Sequence, residues 1–273
     1  VFVGVGSDDV LSMCFLTFFN GKKPVLFPDI TYSFYSVWAD LYRIPYEKQK
    51  LDDNMKIVPE DYYKENGGVI FPNPNAPTGL LMDLDSVRDI IEHNKDVVVI
   101  VDEAYIDFGG VSAKDLVNEY DNVLVVQTFS KSRSMAGMRI GYAFGSKELI
   151  KALNDVKFSF NSYTMNMTSI DMGVASINDK KYFEECVERI TATRERTKEE
   201  LTKLGFTFPD SKANFIFATH KSVPAKEIFE KLKDLNIFVR YFAQPGIDNY
   251  LRITIGTDEQ MDKLISALSE IVG

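Results

Sequence analysis

The stretch Val97–Gly141 decides the reading of this chain. It opens with VVVIVDEAY (Val97–Tyr105), an apolar run of strand type that stops abruptly at Asp102-Glu103. A second run, NVLVVQTFSK (Asn122–Lys131), ends in Ser130-Lys131, and SMAGMRIG (Ser134–Gly141) closes the stretch. Two strands of the buried kind thus end in a carboxylate and an amine, with enough chain between them for a crossover and a return strand. In an open parallel sheet, ligands gather at the carboxyl ends of the strands. A lysine placed there can form a Schiff base, and an aspartate can hold a pyridinium nitrogen.

Composition narrows the rest. With 273 residues and 45% hydrophobic content, the chain can build one large or two moderate cores. A formal net charge of −9 argues against nucleic acid as a partner. Cys14 and Cys186 give no disulfide framework and suit a reducing cytoplasm. His93 and His220 lie far apart without companion ligands, so no metal site is expected. The apolar run Val10–Phe19 is too short to span a bilayer and reads as a buried helix. The chain starts at Val1 and enters a strand at once, which suggests a fragment lacking an N-terminal segment.

Outward from the central stretch, strands are expected at Phe2–Val5, Pro24–Phe27 and Gly68–Phe71, with helices from Tyr32, over Leu84–His93 and over Lys147–Val156. Lys157–Tyr163 reads as a polar-aromatic connection, and Lys180–Leu204 as a long charged helix. After it the rhythm becomes strand Asn214–Ala218, helix Ala225–Leu235, strands Ile237–Tyr241 and Tyr250–Ile255, helix Asp258–Ile271. That change predicts a large domain over 1–177 and a smaller α+β domain over 178–273. Gly6-Ser7-Asp8-Asp9 precedes an apolar helix, so it reads as a helix cap or as a set of amides for a phosphate. Carboxylates at Asp8 and Asp9 would repel that phosphate, leaving the backbone to bind it. Tyr32, Tyr35, Trp38 and Tyr42 share one helical face and suit core packing, though Tyr32 at the loop–helix junction could stack on a flat ring. PNPNAPTG (Pro72–Gly79) is a stiff loop. No phosphate-loop, nucleophile-elbow or zinc-protease motif occurs, and Gly4-Val5-Gly6 fails the dinucleotide pattern at Asp9.

Six motifs in order, GSDD (Gly6–Asp9), DITYSFY (Asp29–Tyr35), NPNAPTG (Asn73–Gly79), DEAYIDF (Asp102–Phe108), TFSKSRSMAGMRIGY (Thr128–Tyr142) and LRITIG (Leu251–Gly256), resemble the fold-type I pyridoxal-phosphate aminotransferases. Within that family the likeness is nearest to enzymes acting on histidinol phosphate. The resemblance implies an α/β fold with a mostly parallel central sheet, helices on both faces and a smaller C-terminal α+β domain. It implies pyridoxal 5'-phosphate as cofactor, histidinol phosphate and glutamate or 2-oxoglutarate as substrates, a homodimer, and a place in histidine biosynthesis. Lys131 would form the Schiff base and shuttle the proton, Asp102 would pair with the pyridine nitrogen, and Tyr105 would donate to the ring oxygen. Tyr32 would stack on the ring. Ser130, Arg139 and the amides of Ser7 and Asp8 would bind the cofactor phosphate. Arg252 and Asn161 would contact substrate. The family's asparagine before the loop proline is Ala76 here, and Asn75 is the nearest replacement. A phosphothreonine decarboxylase, an aromatic aminotransferase or a non-catalytic module of the same fold are the competing readings.

Overall fold

Alternation along the apolar runs builds the centre of the molecule. The computed structural model describes residues 1–273, the side chain of Phe160 excepted. In chain order the first half contains β1 (Phe2–Gly4), α1 (Ser7–Phe18), β2 (Val25–Pro28), α2 (Phe34–Tyr42), β3 (Tyr46–Gln49), β4 (Gly68–Pro72), α3 (Leu84–His93), β5 (Val99–Asp102), β6 (Val123–Thr128) and β7 (Gly141–Phe144). The strands form one sheet in the order β1-β7-β6-β5-β4-β2-β3. Only β7 runs against the others.

Ile70, Ile100, Leu124 and Val126 point to one face, where α1, α2 and Leu153 cover them. Their neighbours Val69, Phe71, Val99, Val101, Val123 and Val125 point to the other, under α3 and Leu116. Strands buried on both faces need this unbroken apolar run, which is why Asp102 stands out as the place where β5 ends. In register, Pro72 pairs with Asp102 and Asp102 with Val126. The parallel strand ends therefore form one rim.

The chain continues through α4 (Lys147–Phe160), α5 (Met167–Asn178), α6 (Lys180–Lys203), β8 (Phe206–Thr207), β9 (Phe215–His220), α7 (Ala225–Asp234), β10 (Arg240–Tyr241), β11 (Leu251–Thr254) and α8 (Asp258–Val272). A second, antiparallel sheet runs β10-β11-β9-β8. Its own core joins Ile216, Ala218 and Ile253 to Ile228, Leu232 and Leu264. Helix α8 opens with a reciprocal capping box between Thr257 and Gln260.

The two sheets are tied at the rim. Buried Arg194 of α6 donates to the carbonyls of Phe108 (2.8 Å) and Ala213 (2.9 Å), and the Lys212 amide donates to Gly79 O at 2.8 Å. No helix among the described residues is long and apolar enough to cross a membrane.

Local differences from the sequence reading have physical causes. Lys157–Phe160 is not a connection but the last turn of α4, where the Ser159 hydroxyl donates to Asp155 O at 2.7 Å and the chain stays helical to Phe160. Helix α5 escaped notice because its apolar residues Met167, Ile170, Val174 and Ile177 face outward. Strand β7 alternates buried and half-buried positions over only four residues, too short a run to read.

Candidate active site

One cavity at the rim, of about 150 Å³, is lined by Ser7, Asp8, Tyr32, Ala76, Asp102, Tyr105, Ser130, Lys131 and Arg139, with Pro72, Ala104 and Ala136. Residues from five separate motifs are thus brought together, each by a different strand end or turn.

Asp102 closes β5 and is buried. Tyr35 donates its hydroxyl to Asp102 Oδ2 at 2.8 Å, and the Ala104 amide donates to Oδ1 at 3.3 Å. Burial pushes the Asp102 carboxyl up to about 6, with the Tyr35 and Ala104 hydrogen bonds and the charge of Lys131 pulling the other way and Asp8 adding to the rise. Tyr105 follows, its ring edge-on to Phe215 at 5.1 Å and its hydroxyl making no hydrogen bond among the described residues. Lys131 sits just beyond β6. The Ser130 amide donates to Thr128 Oγ1 (3.1 Å) and the Ser134 amide to Lys131 O (3.0 Å), turning the chain so that the half-buried Lys131 amine lies 5.4 Å from the Tyr105 ring centroid.

The opposite end of the cavity gathers open amides and a guanidinium, the donors an anion would need. Helix α1 starts at Gly6 without a side-chain cap, leaving the first amides open. Asp9 turns away and accepts from Val5 N at 2.8 Å. Arg139, in the left-handed region at φ 51°, reaches back over this turn, its Nη2 3.5 Å from Val5 O. Gly6 itself sits at φ 91°, a conformation that favours glycine, and a Cβ there would stand 2.3 Å from Arg139 Nη2 and push the guanidinium aside. Gly141 is constrained by space, since a Cβ there would meet the Gly6 carbonyl carbon at 2.2 Å and Ser7 N at 2.3 Å. Strand β7 and the β1–α1 turn therefore touch backbone to backbone. Asp8 stays at the cavity, accepting from the Tyr32 hydroxyl at 2.9 Å and standing 4.0 Å from Arg139. Both ionic partners are half exposed, so that pair is weak. Burial, then the Asp8 hydrogen bond, raises the Tyr32 hydroxyl above the ordinary phenol range.

Two expected residues are elsewhere. Asn75 does not line the cavity: its amide donates to Ile30 O (3.0 Å) and Thr78 Oγ1 (3.2 Å), while its oxygen accepts from Thr31 at 3.1 Å. The loop spends that side chain on its own shape, and Ala76 is the residue that faces inward. Asn161 is exposed at the end of α4 and is not brought to the cavity.

Above the cavity, Tyr32 and Ala76 also border a wider cleft of about 610 Å³, whose far wall carries Arg252, Arg240, Tyr241 and Phe242. Arg252 of β11 pairs in register with Arg240 of β10. Its guanidinium lies between Phe215 and Phe242, 5.2 and 5.8 Å from their centroids, and its buried Nε has no hydrogen-bond partner among the described residues. Arg240 was missed in the sequence because nothing marks it before the strands pair.

This donor set fits pyridoxal phosphate: an anion cradle at one end, a buried carboxylate at the other, an aromatic lid and a lysine between them. Residues 1–268 match the family model for aminotransferase class I and II. The chain belongs to this family of pyridoxal-phosphate-dependent, fold-type I aminotransferases. It is 53% identical over 272 residues to a histidinol-phosphate aminotransferase from Clostridium beijerinckii, covering 100% of this chain and 76% of that protein. A solved histidinol-phosphate aminotransferase from Clostridium acetobutylicum superposes with a TM-score of 0.91 at 24% identity, over 98% of this chain and 82% of that one. Another from Sinorhizobium meliloti, in complex with pyridoxal-5'-phosphate, gives 0.89 at 21% identity, over 99% of this chain and 76% of that one.

Proposed function

We propose that the chain transfers an amino group between L-histidinol phosphate and 2-oxoglutarate, in histidine biosynthesis, with pyridoxal 5'-phosphate as cofactor. The observation that carries the substrate is the cleft wall, where Arg252 and Arg240 stand side by side with an unpartnered guanidinium nitrogen. A planar fork suits the carboxylate of glutamate or the phosphate of histidinol phosphate, and two adjacent guanidiniums suit a dianion best.

The cofactor, when bound, supplies an aldehyde that takes up amino groups and a ring that accepts an electron pair. Arg139, Ser130 and the amides of Ser7 and Asp8 hold its phosphate. Asp102 holds its pyridine nitrogen, Tyr105 donates to its ring oxygen, and Tyr32 covers its face. Lys131 anchors the cofactor and then takes the proton from the substrate Cα, a role that typically contributes ~10²–10⁴-fold. In this reading residues 1–177 carry the cofactor and 178–273 form a smaller domain that brings Arg240 and Arg252 over it. The exposed apolar faces of α2 (Phe34, Val37, Leu41) and α5 support a homodimer, and the free thiols of Cys14 and Cys186 suit the cytoplasm.

The test follows each half-reaction separately by the cofactor's absorbance. Glutamate and histidinol phosphate should both convert the enzyme, and Arg252→Lys should impair both. Release of carbon dioxide from an amino-acid phosphate, or conversion by phenylalanine in place of histidinol phosphate, would overturn the substrate.

A further inference from the structure

We propose that Tyr35 is a positioning residue of the active site, its hydroxyl holding the Asp102 carboxylate from behind so that the pyridine nitrogen meets a fixed, ionised partner. The inference rests on the reading that Asp102 meets that nitrogen.

The ring of Tyr35 is fully buried, among Phe15, Phe27, Tyr32 and Trp38 at centroid distances of 6.2, 5.8, 5.8 and 6.4 Å. Phenylalanine would fill that space equally well. A hydroxyl buried in such a cluster is costly unless it finds a partner, and among the described residues this one finds only Asp102 Oδ2, at 2.8 Å. Packing on every side fixes the ring, so the hydroxyl fixes the carboxylate in turn. The direction of the bond is settled by chemistry. Burial and the neighbouring Asp102 charge raise the Tyr35 phenol well above its ordinary value, so the proton stays on the tyrosine and the carboxylate accepts.

Around Asp102 the charges are few. Asp8 and Cys14 approach from α1, Tyr32 from the loop before α2, and Lys131 from the end of β6. Cys14 is fully buried and remains a neutral thiol. Against burial, then, Tyr35 is the strongest influence keeping Asp102 ionised. Without it the carboxylate becomes more basic and takes the proton from the pyridine nitrogen. The ring then accepts electrons less well.

The experiment is Tyr35→Phe, read in two ways. In the unliganded protein, ¹³C resonances of the aspartate carboxyls, assigned with Asp102→Asn, give the Asp102 midpoint. In the holoenzyme, cofactor labelled with ¹⁵N in the ring reports whether the nitrogen is protonated. A hydrogen bond to a charged group is worth enough to raise the midpoint by about one to two pH units and to lower kcat roughly tenfold or more, with KM for glutamate little changed. The ¹⁵N resonance should move toward the unprotonated position. Site-specific 3-fluorotyrosine, a stronger donor of the same shape, should lower the midpoint, and it keeps the test alive if the phenylalanine variant folds poorly. An Asp102 midpoint and a ¹⁵N resonance unchanged from wild type, whatever happens to Tm, would overturn the proposal. If Asp102→Asn also leaves the nitrogen unchanged, the failure lies with the assignment of Asp102. If only Asp102→Asn moves it, the failure lies with Tyr35.

Discussion

Asp102 and Glu103 are consecutive carboxylates at the end of one strand, yet they face opposite sides of it and live in different surroundings. Glu103 is closed in. Its oxygens accept from Ser112 Oγ (2.5 Å), Ala113 N (2.6 Å) and Gln127 Nε2 (2.7 Å), which together tie the loop after β5 to β6. Asp102 has two donors, one of them at 3.3 Å, and a cavity in front of it. Burial pushes both carboxyls up to about 6. The same desolvation therefore serves two ends: a fully satisfied acid is mortar, and an under-satisfied one is a binding group waiting for a cation. Perturbed acidity alone would not have told them apart.

The sharpest way to break this contrast is to neutralise the open side. Asp102→Asn should cost on the order of 10²–10³ in single-turnover deprotonation of glutamate, the usual loss for a preorganised electrostatic partner. Unchanged single-turnover rates would make Asp102 as structural as its neighbour. Glu103→Ala should do the reverse. It strands three donors and should lower unfolding free energy by about 3 kcal/mol in urea titrations, while turnover per folded, cofactor-loaded molecule stays near wild type.

A third test uses pH. A carboxyl whose folded value lies above its unfolded value of about 3.9 favours folding most when protonated. Its contribution is thus fully present below about pH 4 and is lost as pH rises toward 6. The unliganded Asp102→Asn variant should therefore show a shallower fall in Tm between those values. Near pH 7 it should be more stable than wild type by on the order of 2 kcal/mol. A variant less stable at pH 7 would mean that Asp102 is held as firmly as Glu103. The smallest effect belongs to the far end of the cavity: Arg139→Ala should weaken cofactor retention about tenfold, measured by equilibrium dialysis. Glu103→Ala, dialysed alongside, should retain it as wild type does.

Much of the open side was legible because charge interrupts buried strands there. Asp102 and Lys131 end apolar runs that have no other reason to stop, and the glycines and arginine at the far end of the cavity fall in short, distinctive motifs. Orientation was harder. Asn75 and Ala76 are neighbours in one loop, and only the hydrogen bonds to Ile30 and Thr31, more than forty residues away in sequence, decide which of them faces the cavity. Tyr35 read as core because its helical spacing with Tyr32 and Trp38 says nothing about where a hydroxyl points. Arg240 acquired meaning only from the strand beside it, and Asn161 lost its meaning when α4 ran on beneath it.

The backbone contact between Gly141 and the Gly6–Ser7 turn has a consequence for synthesis. Among the described residues β1 pairs with β7 alone, Phe2 opposite Ala143. At about 5–20 residues per second, the ribosome makes Phe2 roughly 7–30 s before that partner. Until then β1 lacks the strand it pairs with, and the amides that open α1 have no arginine above them. The turn that Arg139 covers is thus completed only with the last strand of the large sheet, although its Gly6–Asp8 half is made long before.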